Sequence, residues 1–226
     1  MSYSAKDGAV ALAAVLALAL PTPAFASVAA QWNMDNTFGT TMVDSSGNGN
    51  NGTMYNVVTS GGGYIFDGST SYVVVPNAPS LNPGSSDFSY SAQVQTDRIP
   101  PSGTDYDILR HGASSTIGGG YRLEIERSNG RAVAYCSVSD SSGVTASIRG
   151  TTNVADGNLH TLTCSKTSTG ITLQVDALAP LVKAATLGSV GNAKPFLIGV
   201  KALNVSGVDA DWYFRTIRSA TVSVGP

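Results

Sequence analysis

From Ser27 onward the chain alternates between apolar and polar residues. In DFSYSAQVQT, residues 87–96, Phe88, Tyr90, Ala92 and Val94 form one face, and Ser89, Ser91, Gln93 and Gln95 form the other. In GYRLEIER, residues 120–127, Tyr121, Leu123 and Ile125 alternate with Arg122, Glu124 and Glu126. In GITLQVD, residues 170–176, Ile171, Leu173 and Val175 alternate with Thr172, Gln174 and Asp176. Period two with one polar face marks antiparallel strands whose sheet is covered on one side. The same pattern makes Glu124 and Glu126 a solvated charged stripe. No stretch after Ser27 sustains the 3.6-residue apolar period of a helix.

Further strands are expected over 31–34, 64–66, 72–75, 107–110, 132–138, 160–165, 196–200 and 212–224. Gly, Asn, Ser and Pro clusters separate them: SGGG at 60–63, NPGSS at 82–86, IGGG at 117–120, SNG at 128–130 and STG at 168–170. Such clusters supply the positive-φ and pre-set turn residues that hairpins require. Short strands with regular turns predict an all-β, two-sheet antiparallel jelly-roll β-sandwich, in one domain over residues 27–226.

The first 26 residues read differently. Lys6 precedes an unbroken apolar run from Ala9 to Leu20, Pro21 and Pro23 follow, and Ala24-Phe25-Ala26 has the A-x-A form of a cleavage site. This is the layout of a secretory signal peptide over residues 1–26. The run is too short for a bilayer core that needs about 20 residues. A secreted protein is therefore expected, with no membrane insertion after cleavage. A formal net charge of −2 and 12% charged residues lack the basic stripe a nucleic-acid partner calls for. An even count of two cysteines, Cys136 and Cys164, points to a disulfide in an exported chain, with two buried free thiols as the alternative.

WNMDNT and VDSSGNGNNGTMYN near the start, then YIFDGSTSYVVVP, resemble the opening of the laminin-G-like jelly rolls of the concanavalin A-like lectin/glucanase superfamily. YRLEIERSNGRAVAYCSV is similar to that family's central hairpin, and VADGNLHTLTCSKTSTGITLQVDA to its D-G-x-W-H segment ending in VDG. PFLIGVK and DWYFRTIRSATVSV stand where its last two strands do. The likeness covers nearly the whole chain after residue 26, and the cysteine pair fits secreted bacterial members. Three positions depart from the pattern. Leu159 replaces the Trp before His160, Ala177 replaces the Gly of VDG, and Arg218 stands where a carboxylate commonly assists a calcium site.

The resemblance implies calcium for the polar loop DSSGNGNNGT, residues 44–53, with Asp44, Asn48 and Asn50 as ligands. Hard oxygen donors on a Gly-rich loop suit that ion. The alternative is a metal-free turn in which Asp44 bonds local backbone or pairs with Arg218. An EF-hand is excluded, because its twelfth position is Tyr55, which cannot chelate. Glu124 and Glu126 share a strand face as glycosidase carboxylates do. The third acid of the family's E-x-D-x-x-E pattern is missing here, and Arg122 on that face would pair with either. His160 is expected to pack and hydrogen-bond, and His111 has no nucleophile beside it. The glycine runs are followed by no helix N-terminus or Lys, so they are not phosphate cradles.

The fold resemblance favours a non-catalytic, lectin-like recognition module for carbohydrate. Tyr55, Tyr106, Trp212 and Tyr213 are its candidate aromatic platforms. A protein-adhesion module with an extracellular protein partner, and a degenerate glycoside hydrolase, are the other readings. Asn51 and Asn204 head glycosylation sequons.

Overall fold

Alternation becomes sheet through most of the chain. The computed structural model describes residues 27–113, 115–203 and 211–225, so the expected leader and the Asn204 sequon lie outside the described residues. The strands, in order, are β1 (Ser27–Trp32), β2 (Thr41–Met42), β3 (Gly52–Tyr55), β4 (Val58–Ser60), β5 (Gly63–Asp67) and β6 (Tyr72–Val75). They continue as β7 (Phe88–Gln95), β8 (Asp105–His111), β9 (Gly120–Ser128), β10 (Arg131–Ser139) and β11 (Thr145–Asn153). The last are β12 (Leu159–Thr167), β13 (Gly170–Val175), β14 (Leu181–Ala184), β15 (Phe196–Ile198) and β16 (Phe214–Val224).

One sheet runs β14-β13-β12-β7-β16-β5-β4, with β1 also paired to β16, and the second runs β11-β10-β9-β8-β15-β6-β3-β2. Both are antiparallel, as expected of the β-sandwich.

The two inner faces make the core. Tyr90 of β7 meets Tyr121 of β9 with ring centroids 5.0 Å apart, and Phe88 lies 5.2 Å from the same ring. Trp32 is fully buried 5.2 Å from Phe196, and its indole N–H donates to the Asn50 carbonyl at 2.7 Å. Each such side chain contributes about 1.5–3 kcal/mol by leaving water. Cys136 of β10 and Cys164 of β12 are disulfide-bonded, with Cα atoms 6.0 Å apart, and tie one sheet to the other.

Local backbone sets the boundaries. β1 stops at Trp32 rather than residue 34, because Met34 turns to φ 53. β16 starts at Phe214 rather than 212, after Asp211 at φ 44. The glycines at 118–120 close β8 onto β9: Gly118 has φ 93, and a Cβ there would stand 1.9 Å from the Gly191 carbonyl oxygen.

Candidate functional site

The outer face of the second sheet carries a row of charge. Asp107 of β8 pairs across the strands with Glu124 of β9, and Asp105 with Glu126. Arg110 donates from Nε to Asp107 Oδ1 at 2.6 Å and from Nη2 to Oδ2 at 2.8 Å, and it also reaches Glu124 Oε1. Arg149 of β11 donates to Glu126 at 2.5 Å. Glu124 is only 1% exposed, and Asp107 and Arg110 are also buried. The solvated stripe expected at Glu124 and Glu126 is thus corrected. Period two put both on the outer face, and Arg122 pairs with Glu124 as expected, but it could not show that Arg110 and Arg149 would also close over them.

Burial, and then the neighbouring Asp107 carboxylate, push the Glu124 carboxyl up to about 9. Asp107 is raised for the first of these reasons, against the pull of Arg110. Arg122 Nε lies 3.2 Å from Glu124 Oε2, yet that oxygen accepts no hydrogen bond.

The segment entering β16 folds onto this face. The Asp211 carbonyl accepts from the Asp107 N–H at 3.2 Å, and its Oδ1 accepts from the Asp105 N–H at 3.3 Å. Lys201 pairs with its Oδ2 at 2.7 Å. These anchors bring Trp212 to Tyr72, with centroids 5.9 Å apart, and Tyr72 stacks on Tyr55 at 4.6 Å and 10°. Trp212 and Tyr72 also cover buried Leu197 and Val200, which belong to a small apolar cluster outside the main core.

Beside Trp212 opens a cleft of about 450 Å³ at one end of the sandwich. Trp212 and Phe214 line it with apolar surface, and Asp67, Ser69, Arg98, Asp105 and Tyr106 line it with polar groups. Asp67 accepts from the N–H groups of Ser69, Thr70 and Ser71 and from the Thr70 hydroxyl, so its oxygens are taken up by its own turn. Burial raises the Asp67 carboxyl, but these bonds outweigh that and hold it well below the usual range. Arg98 sits over Phe214, its guanidinium carbon 4.0 Å from the ring centroid, within cation–π range. Its guanidinium and the Asp105 carboxyl form no hydrogen bond or ion pair among the described residues. Burial raises Asp105 to about 6, helped by the carboxylates of Glu126, Asp211 and Asp107.

The four expected platforms therefore separate. Tyr55 is 43% exposed and Trp212 half-buried, joined through Tyr72. Tyr213 is fully buried, edge-on to Phe66, with its hydroxyl bonded to the Gln95 and Thr216 carbonyls, and it offers no surface to a ligand. The Tyr106 ring is in the core at 6% exposure, but it lines the cleft and its hydroxyl bonds to none of the described residues. Alternation alone could not separate Trp212 from Tyr213, because the chain is not yet strand at either. Sequence reading missed Tyr72, Asp105, Arg98 and Phe214; only Tyr72, on the polar-facing phase of YVVV, left a trace there.

The loop at 44–53 is built around one carboxylate. Asp44 Oδ1 accepts from the N–H groups of Gln31 and Ser46, and Oδ2 from the Ser46 hydroxyl and the Asn50 N–H, all at 2.9 Å. Burial raises the Asp44 carboxyl, but these bonds outweigh it and hold it below the usual carboxylate range. Asn48 turns its amide N–H groups to the Val28 and Ala29 carbonyls, and Asn50 to Ala29. A carboxylate has about four acceptor sites. Those of Asp44 are filled, and the two amides present donors, so the loop as folded does not fit calcium. Arg218 lies across the sheet by Gly62, Gln31 and Gln93, and forms no ion pair with Asp44. Of the two metal-free alternatives, Asp44 takes the local one, bonded to backbone N–H groups and the Ser46 hydroxyl, and not the pair with Arg218.

His160 is clamped by Asp176 at 2.8 Å and Asp156 at 3.0 Å. Burial lowers its pKa, but the two carboxylates outweigh this and raise it. His111 is buried against Tyr121, and burial lowers it to about 4.

The family profile described as the concanavalin A-like lectin/glucanases superfamily matches residues 67–215. No curated protein matches the chain. Among solved structures, the binding domain of Paraclostridial Mosquitocidal Protein 1 is similar, with a TM-score of 0.62 and 13% identity over 88% of this chain and 48% of that one. A botulinum neurotoxin type C structure, whose cell entry depends on interaction with two ganglioside molecules, has a TM-score of 0.60 and 15% identity, covering 88% and 48%. Domain 4 of AbnA, a GH43 extracellular arabinanase from Geobacillus stearothermophilus, in complex with arabinotriose, has a TM-score of 0.61 and 15% identity, covering 88% and 93%. The chain spans about half the length of the two toxin chains. At these identities the likeness shows the fold alone.

Proposed function

The chain belongs to the concanavalin A-like lectin/glucanases superfamily, and from that premise we propose that it is a secreted, non-catalytic module that binds carbohydrate in the cleft beside Trp212. The observation that carries this reading is the lining of that cleft. Trp212 supplies an aromatic surface, and Asp105, Arg98 and the Tyr106 hydroxyl stand around it with hydrogen-bonding capacity unspent on the described chain. Sugar rings have apolar C–H faces and a rim of hydroxyls, so they need an aromatic wall and polar groups together. Recognition sites are of this mixed kind, mostly apolar with a few placed polar groups.

Neighbours of the same fold lend support by analogy, since fold alone does not fix function. One is a neurotoxin whose cell entry depends on interaction with two ganglioside molecules, and another is an arabinanase domain in complex with arabinotriose. Secretion is supported by the leader-like residues 1–26 and by the disulfide, a bond that persists in oxidising compartments.

A hydrolytic reading rests on the Asp107–Glu124 pair. Retaining glycosidases need two carboxyls that reach the substrate, one ionised and one protonated. Here both are buried and share Arg110, which holds them away from solvent. A glycan array with the wild-type protein and Trp212→Ala tests the proposal: binding lost in the variant supports it, and an empty array together with a captured protein partner favours adhesion instead.

A further inference from the structure

The charged groups on this face divide into those that have a partner and one that does not. Asp107 has Arg110, and Glu124 has Arg110 and Arg122. Glu126 has Arg149, and Asp211 has Lys201. Asp105 sits among them, two residues from Asp107, opposite Glu126 in the β8–β9 register, and hydrogen-bonded through its N–H to Asp211. Its carboxyl forms no ion pair with a described residue, although Lys201 lies near enough to lower it and Arg98 lines the same cleft, and Asp105 opens on that cleft. Tyr106, the next residue, also lines the cleft; it is more than nine-tenths buried, and its hydroxyl is bonded to none of the described residues.

We propose that the cleft selects amino sugars, taking the protonated amine of a hexosamine against Asp105 while the sugar ring lies on Trp212. This deepens the carbohydrate reading above and rests on it. A half-buried carboxylate with other carboxylates around it is where a ligand cation gains most, because pairing relieves both desolvation and like-charge repulsion. A carboxylate-bearing sugar would meet the same group as a repulsion. The Tyr106 hydroxyl and the Arg98 guanidinium are left to the ring hydroxyls. The Arg98 guanidinium sits over the Phe214 ring, its carbon 4.0 Å from the centroid, and its N–H groups bond to none of the described residues.

Calorimetric titration at neutral pH with trimers of glucosamine and of galactosamine, each beside its N-acetylated counterpart, isolates the amine while the ring stays the same. The amine forms bind about tenfold or more tightly than the acetamides, the size expected of a charge-assisted hydrogen bond. Asp105→Asn abolishes that preference, whereas the control Asp35→Asn, an exposed carboxylate elsewhere, keeps it. Asp105 makes no side-chain bond to the described residues, so the variant is expected to fold. Tyr106→Phe weakens both forms alike. If acetylated or neutral sugars bind as well as the amines, and Trp212→Ala removes them, the amine assignment falls and the carbohydrate reading stands. A preference for amines that survives Asp105→Asn also overturns the assignment. If no saccharide binds, both readings fall.

Discussion

Asp107 and Glu124 face each other across β8 and β9 with one guanidinium, that of Arg110, bonded to both. Two carboxyls buried this closely cannot both ionise cheaply, so a proton resides on the pair over most of the physiological range. This relationship makes the face a closed ionic layer, and it leaves Asp105 at the rim, lining the cleft.

Stability follows from that proton. Glu124 titrates near 4.5 when unfolded and near 9 when folded, so its contribution is complete below the lower value and is lost as pH rises through the upper one. His160, raised above 6.5, acts in the same direction. His111, lowered to about 4, works oppositely, but only below 6.5. The melting temperature therefore falls from pH 6.5 to pH 9, and Glu124→Gln flattens the slope. Thermal unfolding across that range, monitored by near-UV circular dichroism, checks it.

Asp44 holds its loop through four accepted bonds. Asp44→Ala costs about 1–3 kcal/mol, since it orphans N–H donors at part-buried positions. Adding calcium or a chelator moves the melting temperature by less than ~1 °C, because only binding to the folded state would raise it. A calcium-dependent rise of several degrees would show that the loop rearranges around an ion.

The Cys136–Cys164 bond spans the two sheets and closes a stretch with a sequence separation of 28. Its reduction, or the Cys136→Ala/Cys164→Ala double variant, lowers stability by about 2–4 kcal/mol. Urea denaturation with and without reductant reads this directly, and intact mass reports the two hydrogens gained.

Ligand binding carries its own pH signature. Asp105 is raised to about 6 by burial and by Glu126, Asp211 and Asp107, with Lys201 opposing them. An amine needs the ionised carboxylate, so affinity declines as pH falls through about 6, and Asp105→Asn shows no such decline. Titrations of the glucosamine trimer at pH 5 and pH 7 separate the two behaviours.

The interior strands were legible in the sequence and the sheet edges were not. β7, β9 and β13 have one continuous buried face, and period two found them. Four of the five unforeseen strands lie at sheet ends, β14 and β4 in one sheet and β11 and β2 in the other, whereas β1, which pairs with β16 alone, was expected. β14 buries nothing, so selection for an apolar face is absent there, and β11 buries only Ala146, Ile148 and Gly150 on its inner face. The site was harder to read still. Tyr55 and Trp212 were foreseen, but the partners that make a cleft of Trp212 come from β8 and from the segments after β5 and β7. Side-chain pairings such as Arg110 with Glu124 depend on strand register, which alternation does not specify.

The central claim is that the cleft beside Trp212 is a carbohydrate site. Titration of wild type, Trp212→Ala and Asp105→Asn against saccharides selected on a glycan array tests it most directly. Saturable binding to the wild type is expected, lost by at least about tenfold in Trp212→Ala, with Asp105→Asn as stable as the parent and Trp212→Ala still folded but less stable, because it uncovers Leu197 and Val200. Glycan binding that is unchanged in Trp212→Ala would place the site elsewhere on the sandwich and contradict it.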